Sequence, residues 1–213
     1  MPNISTTSYA ILGLLSLRSW TTYELAEQMR RALGQFWPRA ESGIYTEPKK
    51  LVAAGLATST TEYVGKRPRE RYEITPAGRQ ALEAWVPGPG AGPTVEFEQL
   101  VRVFFAENAT KADLLATLRG VKEQNEDRIV VSQAPSSEYL EGRGSYPERL
   151  PWLVLCGRFL EEFDLLVDRW STWAISEVEQ WPDDIRTAQP AWDVLQEMAD
   201  HGAEFVARVA ARS

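Results

Sequence analysis

The pattern of apolar residues in the first 86 positions predicts two helices at the start of the chain. Ile11, Leu14 and Leu15 recur at helical spacing, as expected for a buried first helix. Thr21 and Glu24 then form a capping box, in which the threonine accepts a backbone hydrogen bond and the glutamate reaches back to the capping residue. The apolar face of this second helix consists of Leu25, Met29 and Leu33.

A third helix is predicted in the stretch that ends at Gly55, although Pro48 lies in the middle of this stretch. Two interpretations are open. If the helix begins at Glu41, Pro48 lies in its interior and kinks it. If the helix begins with Thr46 as its N-cap, Pro48 falls in the first turn, where the missing N–H costs little. We favour the later start or a kinked form between the two. Gly55 ends the helix because glycine adopts the left-handed conformation at little cost.

The apolar positions then alternate, which predicts a β-hairpin. Its strands are Thr58–Val64 and Arg69–Ile74, and residues 65–68 separate them. Thr75 as N-cap and Pro76 at the first helical position begin a fourth helix. The order of three helices, a hairpin and a helix is that of a winged helix-turn-helix, so we expect residues 1–86 to form a DNA-binding domain within a mainly α protein.

A linker rich in proline and glycine, residues 87–93, separates this domain from residues 94–213, which are predicted to be almost wholly helical. Thr110 and Asp113 form a second cap pair in front of an amphipathic helix. Residues 132–147 are rich in Ser, Gly and Pro and are predicted to be a loop between helices.

Two stretches of this second part repeat apolar residues at alternating steps of three and four, the pattern of a coiled-coil seam. The first seam consists of Trp152, Cys156, Phe159, Phe163, Leu166, Trp170 and Trp173. The second seam consists of Trp192, Leu195, Ala199, Gly202, Val206 and Val209. Two seams exceed what one small helical domain needs for its own core, so we predict an all-helical, coiled-coil-like dimerisation domain in a two-fold homodimer. The alternative is that the seams pack on each other within one chain.

The net charge of −7 hides a difference in sign between the two parts. Residues 1–86 carry eleven Lys and Arg against eight Glu, a net charge of +3, whereas residues 87–213 carry twelve against twenty-two, a net charge of −10. A polyanion such as DNA would therefore approach the first part. Within a helix-turn-helix, the third helix enters the major groove.

Two groups of residues are predicted to contact DNA. Tyr45, Thr46 and Glu47 near the start of the third helix can reach base edges or phosphates. Lys49 and Lys50, further along the helix, are suited to contacts with phosphates. The hairpin tip carries four positive charges within six residues and can lie along the backbone or enter the minor groove. The predicted DNA-binding residues are Ser42, Tyr45, Thr46, Lys49, Lys50, Lys66, Arg67, Arg69 and Arg71.

Other functional classes find little support in the sequence. Cys156 and His201 are the only residues of their types, which excludes a disulfide within the chain, a thiolate zinc site and a Cys-His nucleophile. No Gly-rich phosphate loop is present, so we predict neither an enzyme nor a bound cofactor or metal. The chain lacks a run of about 18 apolar residues and a secretory leader, so we expect a cytoplasmic protein with no membrane segment.

The motifs of residues 8–86 resemble the PadR family of bacterial transcriptional regulators. They are Ser42-Gly43-Ile44-Tyr45 in the recognition helix, Leu51 to Leu56 at its end, and Tyr72 to Gly78 at the strand-to-helix corner. Family members often carry proline directly after the tyrosine, whereas this chain has Thr46 there. The resemblance implies a winged helix followed by a C-terminal helical dimerisation domain.

The resemblance and the residues together predict a sequence-specific DNA-binding regulator. We expect a repressor that binds a two-fold symmetric operator as a homodimer. Some family members release DNA on binding phenolic or drug-like compounds, which implies a small aromatic effector; five of the eight tryptophans lie after residue 150 and are candidates to line its site. The alternative is a protein-interaction module that uses the winged helix and the coiled-coil stalk without DNA.

Overall fold

The protein, in a computed structural model that describes residues 4–38 and 41–212, divides into two compact units. The side chains of residues 41 and 42 lie outside the description. The first unit is Met1–Thr94 and the second is Val95–Ser213. Residues 89–97 form neither helix nor strand, and this stretch contains most of the predicted linker.

The first unit contains four helices and three strands in its described residues, in the order that the sequence predicts apart from one short strand. The elements are α1 (Thr6–Leu15), β1 (Trp20–Thr21), α2 (Thr22–Leu33), α3 (Glu41–Ala53), β2 (Ala57–Val64), β3 (Arg67–Ile74) and α4 (Pro76–Trp85). Both predicted N-terminal caps are confirmed. Thr21 and Glu24 form a reciprocal capping box, and the Thr75 side chain accepts from the Gly78 N–H ahead of α4. The winged-helix fold class is therefore confirmed.

The three strands form one antiparallel sheet in the order β1-β3-β2. Sequence analysis missed β1, a two-residue strand in which Trp20 pairs with Tyr72. The hairpin turn is also tighter than predicted, because Val64 pairs with Arg67 and only two residues form the turn. Gly65 is the first of them and has a φ of 64°. A positive φ at this position matches the right-handed twist of the flanking strands.

The core of the first unit lies between the helices and the inner face of the sheet. The Trp20 indole is buried, and its Nε1 donates to the Leu14 carbonyl oxygen at 2.8 Å, which satisfies its one polar atom. The largest fully buried side chains of this core include Ile11, Leu12, Leu15, Trp20, Leu25, Met29, Pro48, Leu51 and Tyr72.

Helix α3 begins at Glu41 and contains Pro48 in its interior, so the first of the two predicted starts is confirmed and the favoured start at Thr46 is wrong. Pro48 is less than 2% exposed, so its ring is a core side chain. Burial of the ring offsets part of the cost of the missing N–H. The predicted end is confirmed: Gly55 has a φ of 71°, and the Leu56 N–H donates to the Leu51 carbonyl oxygen at 2.9 Å.

The described residues of the second unit form four α-helices joined by short 3₁₀ turns, in agreement with the predicted helical content. The helices are α5 (Glu98–Phe104), α6 (Lys111–Leu140), α7 (Leu150–Gln180) and α8 (Trp192–Ala210). Thr110 and Asp113 form the predicted capping box of α6. The loop predicted at 132–147 is wrong in its first half, because α6 continues through Pro135 to Leu140. A long helix extends at one hydrogen bond per residue, so one missing donor does not end it.

Helices α6 and α7 pack along each other and form the main contact of the second unit. The buried face of α7 is a repeat that sequence analysis did not single out, namely Asp164, Val167, Ser171, Ala174 and Val178. Small residues in this row allow close approach of the two helices. Buried residues of α6 facing this interface include Leu114, Leu118 and Val121.

Candidate nucleic-acid interface and effector cavity

The exposed face of α3 carries most of the residues predicted to contact bases and phosphates. Tyr45, Thr46, Lys49 and Lys50 are exposed on it. The Thr46 hydroxyl donates to the Gly43 carbonyl oxygen at 3.0 Å, so its oxygen keeps acceptor capacity. The opposite face is buried, with Ile44 and Leu51 in the core as predicted. Ser42 belongs to the same helix, but its side chain lies outside the described residues.

Glu47 does not lie on this exposed face, which corrects the expectation that it reaches DNA. It is 7% exposed, and its Oε2 accepts from the hydroxyls of Ser8 and Ser5, the latter at 3.1 Å. The Lys50 Nζ approaches its Oε1 at 2.6 Å. Burial raises the pKa of Glu47, but hydrogen bonds from Lys50, Ser8 and Ser5 outweigh it and lower the pKa below its ordinary value. The carboxylate thus fastens α3 to the N-terminus of α1.

Three of the four predicted wing cations are exposed at the tip of the hairpin. Lys66 lies in the turn, whereas Arg67 and Arg69 point to the outer face of β3 by strand alternation. None of the three forms an ion pair with an acidic side chain of residues 4–38 or 41–212. Their charges are therefore available to an anionic partner.

Arg71 follows the same alternation but is held within the domain. Its Nε lies 2.7 Å from the Glu62 Oε1, and its Nη1 lies 3.5 Å from the Glu24 Oε2. Nη1 also donates to the Ser19 carbonyl oxygen at 3.3 Å. Arg71 therefore joins β3 to β2 and to the start of α2, and the structure separates it from the three cations of the tip.

The aromatic seam predicted on α7 is only partly covered within the chain. Trp152, Phe159 and Leu166 are exposed, Trp152 by 62%. Phe163 is half-buried, and the Arg128 guanidinium carbon lies 5.6 Å from its ring centroid. The N-terminal half of this seam thus presents apolar side chains to solvent.

The C-terminal half of the same seam is partly covered by other residues of the second unit. Trp170 is half-buried and meets the edge of Phe97, with ring centroids 6.0 Å apart. Trp173 lines a cavity together with Trp170. A straight helix drifts by about 20° per heptad relative to a strict 3.5-residue repeat, which explains why one seam meets two environments.

Helix α8 buries none of its side chains within the chain. The predicted seam residues Trp192, Leu195, Val206 and Val209 are all exposed, as are Met198 and Phe205 beside them. The alternative in which the two seams pack on each other within one chain is therefore wrong.

A cavity of about 530 Å³ lies between α5, α6, α7 and the segment that follows α7. Its walls are mainly apolar and include the indoles of Trp170, Trp173 and Trp181. This size lies within the range of sites for drug-sized ligands. Trp181, one of the five tryptophans after residue 150 that the sequence offers as candidates, enters the wall because the helix ends at Gln180 and the chain turns.

Two negative findings concern the part of the chain that the structure describes. No group of three or more His, Cys, Asp or Glu side chains there is placed to hold a metal ion. No described helix is both long enough and apolar enough to cross a membrane.

Residues 11–84 match the sequence model of the Transcriptional regulator PadR-like family. The match covers 74 of the 213 residues, all of them in the first unit, so this domain is similar to the PadR-like family. A curated relative, the Negative transcriptional regulator PadR of Bacillus subtilis (strain 168), is 36% identical over 99 residues, which are 46% of this chain and 54% of the relative. The match thus spans about half the length of that relative.

Solved structures of the Bacillus subtilis PadR share the fold over most of both chains. The structure in complex with operator DNA has a TM-score of 0.68 and 24% identity, and it covers 82% of this chain and 99% of that one. The structure in complex with p-coumaric acid has a TM-score of 0.65 and 24% identity, covering 83% and 100%. At this identity the two structures establish the fold.

The PadR-like match includes all the exposed residues of α3 and the wing described above. The family consists of transcriptional regulators rather than enzymes. Gly78 ends the PadR-like strand-to-helix corner that begins at Tyr72. A larger residue does not fit there, because a Cβ at this position would collide with the Leu56 carbonyl oxygen. This close approach lets α4 begin near the end of α3.

Proposed function

We propose that this protein is a cytoplasmic transcriptional regulator that binds double-stranded DNA through α3 and the wing. The observation that carries the proposal is the set of three exposed wing cations, Lys66, Arg67 and Arg69, which lack acidic partners among the described residues. The wing extends from the same domain as the exposed face of α3. The operator DNA bound by the Bacillus subtilis PadR supports this assignment.

We propose that the regulator acts as a homodimer whose interface includes α8 and the exposed part of the α7 seam. Trp192 is 66% exposed, and the other seam residues of α8 are not buried by any described part of the chain. Fully burying an apolar side chain of this size contributes about 1.5–3 kcal/mol, so leaving the whole seam in water is costly. A second copy of the chain offers the same seam. A two-fold dimer would then place two recognition helices on half-sites about 34–36 Å apart.

The sign of regulation that we propose is repression. The curated relative is a negative regulator, and it is similar to this chain over a stretch of 99 residues. Binding of a dimer across a promoter blocks access to that DNA without further contacts. A reporter gene placed behind the operator should therefore rise in expression when the protein is removed.

We further propose that a small aromatic effector binds the second unit and releases the DNA. The cavity with its three indoles supports this assignment, because flat apolar walls with single N–H groups suit aromatic ligands. The complex of the Bacillus subtilis PadR with p-coumaric acid shows that a relative binds an aromatic compound. The effector would act by favouring a dimer geometry that no longer fits the operator.

The DNA-binding proposal is tested by the salt dependence of binding to a short mixed-sequence duplex. The variant Lys66→Ala/Arg67→Ala/Arg69→Ala should bind more weakly, with a shallower slope of log K against log salt. The slope should fall by about 0.9 for each phosphate that the variant no longer neutralises, up to about 5 for the six side chains of a dimer.

The matched control is Arg143→Ala/Arg169→Ala/Arg212→Ala, which removes three exposed positive charges from the second unit. We expect this control to keep the slope of the unmodified protein. An unchanged slope in the wing variant, or an equal decrease in both variants, would contradict the proposal and would favour the protein-interaction module.

A further inference from the structure

The cavity of the second unit has a charge character that its aromatic walls alone do not reveal. Among the described residues, Glu107 and Glu177 are its only ionisable lining residues, and no Lys, Arg or His side chain lines it. The Glu177 Oε1 accepts from the Trp181 Nε1 at 3.3 Å, which holds this carboxylate against one of the indoles. The Glu107 Oε1 accepts from the neighbouring Asn108 amide, at 3.0 Å.

Two basic side chains near the C-terminal end of α7 are occupied by partners that do not line the cavity with a carboxylate. The Lys111 Nζ donates to the carbonyl oxygens of Glu179 and Trp181, at 2.9 and 2.6 Å. The Arg119 Nη2 donates to the Glu179 Oε1 at 2.8 Å. Neither cation forms an ion pair with Glu107 or Glu177, and no other ion pair among the described residues involves these two lining carboxylates.

The backbone dipole at one end of the cavity is partly offset by a lysine. Val178 and Trp181 line the cavity at the C-terminal end of α7, a helix of 31 residues. The end of a helix carries a partial negative charge from its unpaired carbonyl groups, and this charge favours cations. Lys111 caps part of this end.

We infer that the cavity binds an aromatic cation, such as a planar amine, and rejects aromatic carboxylates. This inference rests on the proposed effector function and specifies its ligand class. The indoles supply stacking surfaces and cation–π contacts, and the two carboxylates supply the countercharge. The cavity volume accommodates two or three fused rings. The ligand of this chain therefore differs in charge from the p-coumaric acid bound by the Bacillus subtilis PadR.

The test compares two probes with the same ring system and opposite charge, 9-aminoacridine and acridine-9-carboxylate, by equilibrium dialysis against the full chain without DNA. The cation should bind at least about 10-fold more tightly than the anion, since each nearby carboxylate contributes about 1 kcal/mol in water and more in a partly dry site. The isosteric variant Glu107→Gln/Glu177→Gln should bind the cation about 10-fold more weakly and should bind the two probes more equally.

The control variant Glu123→Gln/Glu138→Gln removes two exposed charges from α6 outside the cavity and reports the general attraction of an acidic domain for cations. It should keep the affinity of the unmodified protein within about twofold. Equal binding of the two probes, equal decreases in both variants, or no binding of either probe would overturn the inference. Binding of the protein to the DNA duplex is measured separately. If the protein still binds the duplex, only the inference about the ligand has failed and the DNA-binding proposal stands.

Discussion

Glu47 is the residue that decides how α3 is seated on the first unit. It follows the exposed Thr46, yet its carboxylate is buried and receives hydrogen bonds from two serines at the start of α1 and from Lys50. A buried carboxylate that accepts from three donors fixes the rotation of its helix about the helix axis and the position of the helix along that axis. The exposed face of α3 therefore depends on a residue that does not belong to that face.

The stability contribution of Glu47 should depend on pH. Because its folded pKa lies below the ordinary value of 4.5, its stabilisation is complete above about pH 4.5 and is lost as the pH falls through the folded pKa. Glu47→Gln should lower the free energy of unfolding by about 1–3 kcal/mol at neutral pH, and the difference should shrink on acidification. Urea unfolding followed by circular dichroism at about pH 7, 5 and 3.5 measures this.

Glu83→Gln is the control for this experiment, since Glu83 is exposed on α4 and forms no hydrogen bond or ion pair in the described residues. Its effect should stay within about 0.5 kcal/mol at every pH. An unfolding free energy of Glu47→Gln equal to that of the unmodified protein at neutral pH, or a difference that grows on acidification, would show that the carboxylate does not hold α3.

Residues whose role depends on nearby sequence were predictable, and residues whose role depends on distant partners were not. The capping threonines and Gly55 act on backbone groups a few residues away, so their motifs suffice. Glu47 and Arg71 both resembled exposed polar residues of the binding surface. Their partners, Ser5 and Ser8 in one case and Glu24 and Glu62 in the other, are brought close only by the fold.

At the scale of elements, proline positions and heptad patterns did not predict correctly where helices end and which helix faces are buried. Pro48 and Pro135 both lie inside helices, where local propensity predicts a break. Pro48 contributes a buried ring to the core, and α6 already has more than six turns before Pro135. Tertiary packing and helix length therefore outweigh the local penalty at these positions.

The heptad pattern of α7 predicted one helix face, but the helix uses two. The row from Asp164 to Val178 is the one that packs on α6. Sequence analysis overlooked this row because Asp164 and Ser171 are polar, whereas large aromatic residues dominate the other row. In the structure Asp164 forms an ion pair with Arg128, with an O–N distance of 2.6 Å. Apolar patterning identifies faces that can be buried, and the pairing of elements decides which of them are buried within the chain.

Helix α8 provides a direct test of the proposed dimer. Leu195→Glu/Val206→Glu places charges on its seam and should weaken dimerisation by more than about 100-fold, because burial of each replaced apolar side chain contributes about 1.5–3 kcal/mol. Helical content should change little, since no side chain of α8 is buried within the chain. Sedimentation equilibrium measures the dimer constant.

The control His201→Glu/Ala207→Glu adds the same two charged side chains at positions of α8 off the seam. It should leave the dimer intact. If both variants dissociate equally, general charge repulsion explains the result; if neither does, α8 is not the dimer interface.

At the scale of the whole molecule, the two units carry opposite net charges. The first unit presents three exposed cations of the wing, whereas the acidic second unit presents apolar seams and a cavity lined by carboxylates. An acidic second unit is repelled by the phosphate backbone, so only the wing and α3 of each chain would approach the duplex. Sequence-specific binding would then require both copies of the first unit, because one winged helix reads few base pairs.

Selection from a random duplex library by the purified full chain, at about physiological salt, addresses both the DNA-binding role and the dimer in one experiment. We expect enrichment of a two-fold symmetric site, with half-sites separated by about one turn of the duplex, roughly 10–10.5 base pairs. The wing variant Lys66→Ala/Arg67→Ala/Arg69→Ala should fail to enrich it. Enrichment of a single asymmetric half-site would contradict the proposed dimer, and no enrichment by a folded dimer would contradict sequence-specific DNA binding itself.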